Sequence, residues 1–188
     1  GFLDRDRKKS GTTINGVLVL GSEDDAKIIS LVTRPDIDYF VAVGDNALRE
    51  RLIKKMKGLS GREPVNAIHP DTVISEFSKI GTGNFINCGV KINSNATIGN
   101  YTVLNTSATI DHDCLVEDYA FLSPVVSLAG GVTIRRSAFL GIGVKSVPGI
   151  TVGRNAVIGA GAVLTGDVPA RVTAVGVPAK VIKRHGKA

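Results

Sequence analysis

The sequence predicts a mainly β protein in which a three-sided parallel β-helix follows a small α/β unit. Two observations predict this architecture: a six-residue repeat runs from Ile68 to Leu164, and strand-like and helix-like segments alternate before it. The composition suits a folded chain, because 43% of the 188 residues are hydrophobic and 21% are charged. No stretch approaches the roughly 18 apolar residues of a membrane helix, and no secretory segment opens the chain. Two cysteines are too few for a disulfide framework, so we expect a cytoplasmic protein.

Every sixth residue from Ile68 to Leu164 is aliphatic, with one exception. Of these seventeen positions, sixteen are Ile, Leu or Val, and one is Ser146. Four residues after each of these anchors the side chain is mostly small or β-branched, and Gly, Asn or Asp often follows the anchor directly. An α-helix cannot use this period, because successive anchors would be rotated by about 600°, whereas a short strand plus a turn points both positions inward. An ordinary β-sandwich would not keep this register, so we predict stacked coils with an 18-residue offset over residues 68–169.

Residues 1–67 predict a small α/β domain of Rossmann-like type. The pattern gives, in order, a strand end at Phe2-Leu3, a turn-rich stretch at Gly11–Gly16, a helix at Asp24–Arg34, a buried strand at Asp38–Gly44, an amphipathic helix at Asp45–Lys57 that stops at Gly58, and a strand at Val65–Ile68. Alternation of this kind favours a parallel sheet. The unit is short for a doubly wound domain, so we expect an incomplete domain that lacks its first strand, loop and helix.

The formal net charge of +6 arises mostly near the C-terminus. Residues 170–188 carry five basic and no acidic side chains, whereas residues 1–70 and 71–169 are nearly balanced. A nucleic-acid surface needs basic residues along one face with aromatic side chains for stacking, and neither pattern occurs. We therefore expect no nucleic-acid partner, and interpret residues 170–188 as a basic cap over the end of the coil. For His185–Ala188 a solvated tail is the alternative.

Three histidines are available for chemistry, and their spacing is informative. His69 and His112 are 43 residues apart, which is not a multiple of 18, so the repeat does not support a zinc site and we expect no metal. His69 precedes Pro70 and is interpreted as a junction residue. His112 lies two residues past an anchor, between Asp111 and Asp113, which places it at a corner of the coil. A neutral ring there can accept a proton while the carboxylates fix its tautomer; a solvated corner histidine is the alternative.

Gly130 strengthens the catalytic interpretation of His112. It follows His112 by 18 residues and therefore occupies the same corner of the next coil. A residue without a side chain leaves room for a substrate and exposes its backbone N–H to a developing oxyanion. The two cysteines have simpler explanations: Cys114 falls in a small inward slot, which predicts a core thiol, and Cys88 has no basic neighbour to activate it.

The six-residue pattern resembles that of the hexapeptide-repeat transferases. This resemblance implies a left-handed parallel β-helix that assembles as a homotrimer. Three segments, 104–114, 128–132 and 140–143, are similar to those of a narrower group that contains sialic-acid O-acetyltransferases and N-acetyltransferases of nucleotide-linked 4-amino-sugars. Gly1–Asp4 and Val41–Asn46 resemble the nucleotide-sugar-binding domain of this group, and Val175–Lys180 resembles the tail of the wider acetyl-CoA class.

The resemblance also implies a role for individual residues. His112 would be the general base, Asp113 would orient it, the Gly130 amide would stabilise the oxyanion, and Asn105 would help to place the acceptor. Acetyl-CoA is expected between adjacent subunits along Phe121, Ile142, Gly143, Ala160 and Gly161, with Pro178, Lys180 and Lys183 nearer its phosphates. The nucleotide sugar is expected to contact Asp4, Gly44 and Asn46.

The leading interpretation is therefore an acetyl-CoA-dependent N-acetyltransferase acting on a nucleotide-linked amino-sugar. One alternative is O-acetylation of a sugar such as sialic acid, which would use the same base and oxyanion site. Another is a structural or binding β-helix without catalysis. His112 opposite Gly130 and the cationic tail favour an enzyme, since an inert coil needs neither.

Overall fold

The structure is a computed structural model that describes residues 1–186, so Lys187 and Ala188 of the predicted basic tail lie outside the described residues. Its N-terminal unit contains a three-stranded sheet, a 3-10 turn at Arg7–Lys9 and two helices. The strands are β1 (Phe2–Leu3), β2 (Thr13–Ile14) and β3 (Val17–Gly21), and the helices are α1 (Ala26–Val32) and α2 (Asn46–Ser60). The α2 N-cap is Asp45, whose carboxylate accepts a hydrogen bond from Leu48 N. The helix passes through Gly58, contrary to expectation, and ends at Gly61, which takes the left-handed conformation with φ of 66°.

The sheet of this unit is mixed, not purely parallel. β1 pairs with β3 in parallel, but β2 and β3 form an antiparallel hairpin. Asn15 and Gly16 connect that hairpin with φ of 49° and 78°, the backbone of a tight two-residue turn. The Asn-Gly pair is a strong sequence signal for such a hairpin, and the interpretation of Gly11–Gly16 as turn-rich alone missed it.

The predicted buried strand at Asp38–Gly44 is wrong. The segment forms no strand, and a single backbone hydrogen bond, from Val65 N to Tyr39 O, ties it to a neighbouring segment. A cavity of about 580 Å³ separates its side chains from β1, and apolar residues such as Phe2, Leu20 and Met56 line that cavity. The apolar pattern is that of a strand, but an extended segment becomes a strand only when another strand lies within hydrogen-bonding distance.

Seventeen two-residue strands form the coil, one for each hexad. They are β4 (Ala67–Ile68), β5 (Val73–Ile74), β6 (Lys79–Ile80), β7 (Phe85–Ile86), β8 (Lys91–Ile92), β9 (Thr97–Ile98), β10 (Val103–Leu104), β11 (Thr109–Ile110), β12 (Leu115–Val116), β13 (Phe121–Leu122), β14 (Ser127–Leu128), β15 (Thr133–Ile134), β16 (Phe139–Leu140), β17 (Lys145–Ser146), β18 (Thr151–Val152), β19 (Val157–Ile158) and β20 (Val163–Leu164). Each anchor is the second residue of its strand and points inward.

The strands stack into three parallel sheets that form the sides of a left-handed prism. The first side contains β4 and every third strand after it to β19, the second runs from β5 to β20, and the third from β6 to β18. Paired residues differ by 18, as in Val103 with Phe121 and Ile110 with Leu128, which confirms the predicted offset. The aliphatic anchors from Ile86 onward are buried in one continuous core, whereas Ile68 is 43% exposed because no coil lies below it.

Two C-terminal strands close the far end of the prism. β21 (Val172–Val175) continues the first side by pairing with β19, and β22 (Lys180–Arg184) folds back antiparallel to it. Val172 and Ala174 are buried against the last coil. No helix among residues 1–186 is long and apolar enough to cross a membrane.

Arg49 joins the N-terminal unit to the coil. Arg49 belongs to α2, and its side chain is almost fully buried. Its guanidinium donates hydrogen bonds to the carbonyl oxygens of Tyr101 and Tyr119 on the coil, at 3.2 and 3.1 Å. It also donates to the carbonyls of Val43 and Gly44, both at 3.1 Å. Burial lowers its pKa to about 10, which leaves the group charged at neutral pH.

We expect Arg49→Met to lower the free energy of unfolding by about 3 kcal/mol or more, because it leaves the carbonyl groups of the buried residues Tyr101 and Tyr119 without this donor. Denaturant titration followed by circular dichroism measures this loss. Arg51→Met is the matched control, since Arg51 is exposed on the same helix. Equal stability of the two variants would contradict the role of Arg49.

Candidate active site

Two of the three corners between the sides carry the predicted catalytic residues and most of the predicted acetyl-CoA residues. The corner between the second and third sides contains His112 and is called the His112 corner. The corner between the first and second sides contains Asn105, Val125, Ile142 and Ala160 and is called the Ile142 corner. The third corner contains Tyr101 and Tyr119 and packs against Ile53 of α2. Catalytic and cofactor-binding candidates therefore lie on different edges of the prism.

At the His112 corner the imidazole is held from one side and open on the other. Its Nδ1 lies 2.8 Å from Asp113 Oδ2, and Asp111 Oδ1 accepts a hydrogen bond from the His112 backbone N–H at 2.8 Å. When Nδ1–H donates to Asp113, the neutral ring carries its lone pair on Nε2. Most of the His112 side chain, 62%, is exposed, so Nε2 is accessible to a substrate.

Gly130 lies directly beneath the imidazole. A Cβ added at Gly130 would be 2.5 Å from His112 Cε1 and 2.6 Å from Nε2, so only glycine leaves space for the ring there. The backbone N–H of Gly131 donates to the His112 carbonyl at 2.9 Å, which aligns the two corners in register. The expected juxtaposition is present: a proton acceptor lies over a residue whose own N–H donates no backbone hydrogen bond within residues 1–186.

The charges around His112 favour its protonated form. The hydrogen bond to Asp113, followed by the charge of Asp111, raises the pKa of His112 above its ordinary value. The pKa of Asp113 is lowered, first by His112 and then by a hydrogen bond from Asn95 Nδ2 at 3.2 Å. His112 is therefore a stronger base than a free imidazole, with an ionised partner that stabilises the imidazolium.

Two asparagines of the preceding coil support this pair of carboxylates. Asn95 bonds Asp113, and Asn93 Nδ2 donates to Asp111 Oδ1 at 2.8 Å. Both precede their partners by 18 residues, so the offset that located Gly130 could have located them too. Asp113 has φ of 57°, a left-handed conformation that Asp tolerates better than most residues.

We expect Asp113→Asn to shift the acid limb of the kcat/KM profile to lower pH. In the predicted role of general base, His112 would act only when neutral, so activity would fall as pH drops through its raised pKa. Removing the carboxylate lowers that pKa and weakens control of the tautomer, so kcat should fall about tenfold or more. Asp111→Asn is the matched comparison and should shift the limb less, because Asp111 bonds the backbone and not the ring. An unchanged limb in Asp113→Asn would contradict this pairing.

Most of the residues predicted to bind acetyl-CoA lie on the Ile142 corner. This corner contains Ile142 and Gly143 on one coil and Ala160 and Gly161 on the next. Pro178 continues the same edge after Gly176. Three aliphatic side chains with large exposed fractions project from it and are called the aliphatic stripe: Val125 at 54%, Ile142 at 53% and Val177 at 72%. Added Cβ atoms at Gly143 and Gly161 would meet nothing within 4 Å, so the edge is open. Apolar surface beside the basic strand β22, with Lys180 and Lys183, suits a long apolar arm that ends in phosphates.

Phe121 and Asn105 lie apart from the residues with which each was predicted to act. Phe121 lies on the outer surface of the first side, where its ring stacks on Phe139 and faces Arg49, and not on the corner itself. Asn105 is on the Ile142 corner, so the whole second side, on the order of 15 Å, separates it from His112 of the same chain. Its Oδ1 accepts from Asn87 Nδ2 at 3.0 Å and from Thr106 N at 2.8 Å, which leaves its amide donor available.

The candidate nucleotide-sugar residues differ in availability. Asp4 follows β1 and accepts hydrogen bonds from Lys9 Nζ at 2.7 Å and from Asp6 N at 2.9 Å. Gly44 is exposed, but its carbonyl accepts from Arg49. The Asn46 side chain is used at both ends, since Oδ1 accepts from Arg49 and Nδ2 donates to Ser137 O. Asn46 therefore supports the fold, and sequence reasoning missed Arg49, which holds it.

The fold and the His112 corner together define an acyltransferase of the hexapeptide-repeat class. Residues 1–56 match the family model described as the PglD N-terminal domain. A histidine-to-alanine mutant of GDP-perosamine N-acetyltransferase from Caulobacter crescentus, solved with CoA and GDP-perosamine, is 37% identical over 98% of this chain and 84% of its own, with a TM-score of 0.87. The chain belongs to the hexapeptide-repeat amino-sugar acetyltransferase family.

Two further structures agree with this assignment. The acetyltransferase domain of PglB from Neisseria gonorrhoeae, in complex with acetyl coenzyme A, is 33% identical over 96% of this chain and 85% of its own, with a TM-score of 0.86. WeeI from Acinetobacter baumannii AYE is 29% identical over 97% and 85%, with a TM-score of 0.84. No curated protein sequence matches the chain significantly. Within residues 1–186, no group of three or more His, Cys, Asp or Glu side chains is arranged to hold a metal ion.

Proposed function

We propose that the protein acetylates the amino group of a nucleotide-linked sugar, with acetyl-CoA as donor and His112 as general base. One observation carries the catalytic assignment: His112 Nε2 lies over Gly130, and Asp113 holds the opposite ring nitrogen at 2.8 Å. The family relationship supports the reaction class, because a relative 37% identical to this chain is a GDP-perosamine N-acetyltransferase. An amino group is thus the preferred nucleophile over a hydroxyl.

The residues at this corner account for each proton in the reaction. The acceptor amine attacks the thioester carbonyl, a C–N bond forms, and His112 Nε2 takes the amine proton while Asp113 stabilises the imidazolium. The Gly130 N–H donates to the oxygen on which negative charge develops. When the C–S bond breaks, the imidazolium returns the proton to the departing thiolate, which needs little assistance because thiols are acidic. His112 is then neutral again and ready for another cycle.

A homotrimer would bring the two halves of the site together. His112 and the Ile142 corner lie at opposite ends of the second side, so one chain cannot present both to the same thioester. Packing three prisms around an axis parallel to their length would place the Ile142 corner of one chain beside the His112 corner of the next. In that arrangement Asn105 and the aliphatic stripe of one subunit complete the site of its neighbour.

We therefore expect the mass of three chains in sedimentation equilibrium at micromolar concentration. The expected cause is the mutual covering of these corners, so charge placed in the stripe, as in Val125→Asp, should weaken assembly and acetyl transfer together. Val73→Asp is a matched control, because Val73 is exposed on the first coil, away from the stripe. A one-chain mass for the unaltered protein would contradict the shared site.

A cytoplasmic location belongs to the same proposal. Cys88 and Cys114 are both free thiols, which suits a reducing compartment, and acetyl-CoA would be supplied there.

The function is tested with matched pairs of sugar nucleotides. Each pair has the same nucleotide and sugar, with an amino group in one member and a hydroxyl at the same carbon in the other. Thiol release from acetyl-CoA measures turnover, and mass spectrometry shows whether the sugar nucleotide gains one acetyl group. We expect product from amino members only. Equal use of the hydroxyl members would indicate an O-acetyltransferase, and no transfer to any member would contradict the proposed function.

A further inference from the structure

The backbone ladder between coils is interrupted beside Gly130. At this register the N–H after each anchor normally donates to the anchor carbonyl one coil on: Asp111 N donates to Leu128 O at 3.2 Å, and Val147 N donates to Leu164 O at 2.9 Å. Ala129 N instead donates to the side-chain hydroxyl of Ser146, at 3.1 Å. Ser146 is also the one anchor that is not aliphatic. The break in the repeat and the break in the ladder therefore coincide.

The hexad that contains Ser146 is rebuilt around this small anchor. The inward slot four residues after an anchor holds mostly Ala or Val, but here it holds Ile150, which is buried. The larger side chain restores the core volume that serine gives up. The coil thus remains packed while a hydroxyl reaches the backbone of the preceding coil.

A second side chain, that of Cys114, bonds the carbonyl group of Ala129. Cys114 is buried, and its Sγ donates to the carbonyl of Ala129 at 3.2 Å. That carbonyl belongs to the peptide unit whose N–H is Gly130 N–H. In a trans peptide the C=O and N–H point in opposite directions, so a carbonyl turned inward to a buried thiol turns the Gly130 N–H outward. Burial raises the pKa of Cys114, so the thiol keeps the proton that it donates.

We infer that Cys114 and Ser146 are positioning residues for the oxyanion donor. Cys114 bonds the carbonyl of the Ala129–Gly130 peptide, and Ser146 bonds the N–H of the Leu128–Ala129 peptide before it. Together they fix the backbone on both sides of the Ala129 Cα, so that the Gly130 N–H faces the space beside the His112 ring. Neither side chain touches a reactant; each acts through the backbone of Ala129. The inference rests on the proposed function for its catalytic consequence, but its geometric part does not.

The test compares variants that remove the Cys114 thiol or the Ser146 hydroxyl with variants that replace each group conservatively. Because one oxyanion donor contributes about 100- to 1,000-fold to kcat, and a tilted donor loses part of that, we expect Ser146→Ala and Cys114→Ala each to lower kcat about tenfold. KM for both substrates and the acid limb of the pH profile should not move, since His112 and Asp113 are untouched. Ser146→Thr and Cys114→Ser, which keep a hydroxyl at each place, should restore kcat to within about threefold of the original.

Val132→Ala is the matched control for a purely structural effect. Val132 is buried in the same slot as Cys114, one coil further on, and its side chain has no polar atom to bond the backbone, so this variant should lose stability without losing kcat at temperatures where it is folded. Unchanged kcat in Ser146→Ala and Cys114→Ala, or an equal loss in Val132→Ala, would overturn the inference while the acetyltransferase function stands.

Amide hydrogen exchange tests the geometry without turnover. In ¹⁵N-labelled protein we expect the Gly130 amide to exchange quickly and the Gly131 amide, which donates to His112 O, to be protected. A protected Gly130 amide would overturn the inference even if the protein acetylated none of the sugar nucleotides tested.

Discussion

His112→Ala is expected to lower kcat for acetyl transfer by about 100- to 10,000-fold, the range over which a positioned general base contributes. In the proposed mechanism Nε2, which lies over Gly130, accepts the proton, and Asp113 bonds the opposite ring nitrogen, so removal of the ring removes both functions. KM for acetyl-CoA should change little, because the aliphatic stripe, where we propose that it binds, lies on the Ile142 corner. Thiol release under saturating substrates measures the effect.

His69→Ala is the control for the loss of an exposed imidazole. His69 also has an aspartate neighbour, with Asp71 3.8 Å away, but it lies at the open end of the coil beside the first strands. Its replacement should leave kcat unchanged. Equal losses in both variants, or full activity in His112→Ala, would show that His112 is a solvated corner residue.

Gly130→Ala is expected to lower kcat about 100-fold or more, because its methyl group occupies the space of the imidazole and forces the ring away from the donor amide. The backbone of Gly130 is not in the left-handed region, so alanine is compatible with the fold there. Circular dichroism should therefore show an unchanged coil, while thiol release is nearly lost.

Gly166→Ala is the matched variant for this prediction. Gly166 lies at the same corner two coils further on, and a Cβ there would meet nothing within 4 Å. It should keep full activity.

In a double variant with His112→Ala, the added effect of Gly130→Ala should fall below about threefold, since the two residues act as a unit. Additive losses would mean that Gly130 acts independently of the ring.

The repeat made most of the coil and part of the site predictable. An 18-residue offset follows from three hexads per coil, so the sequence alone places His112 and Gly130 together. The same offset would have found Asn95 under Asp113. Where a residue interacts with its neighbour one coil away, its partner can be read from the sequence.

Other features depend on contacts that have no period. Asp38–Gly44 has the composition of a buried strand, but no strand lies within hydrogen-bonding reach of it. Asn46 was expected to meet a ligand, yet Arg49 uses its side-chain oxygen, and a buried arginine with carbonyl partners leaves no mark in a hydrophobic pattern. Asn105 and His112 were expected near one acceptor, but they occupy different corners, and only a second subunit can unite them.

Ser146 shows what an exception to a repeat can mean. As one polar residue among seventeen anchors it had no explanation from the sequence. The structure relates it to Ala129 N, one residue before Gly130. The departure from the pattern therefore coincides with a local change in the hydrogen bonding between coils.

The pH dependence of kcat/KM for amine acetylation tests the central claim, that His112 held by Asp113 is the base, most directly. We predict an acid limb with an apparent pKa above the ordinary histidine value of about 6.5, and its disappearance in His112→Ala. Protonation of the acceptor's own amine would produce a separate acid limb. That limb would be present with both the unaltered protein and His112→Ala, and it serves as an internal reference. Identical profiles for the unaltered protein and His112→Ala would contradict the claim.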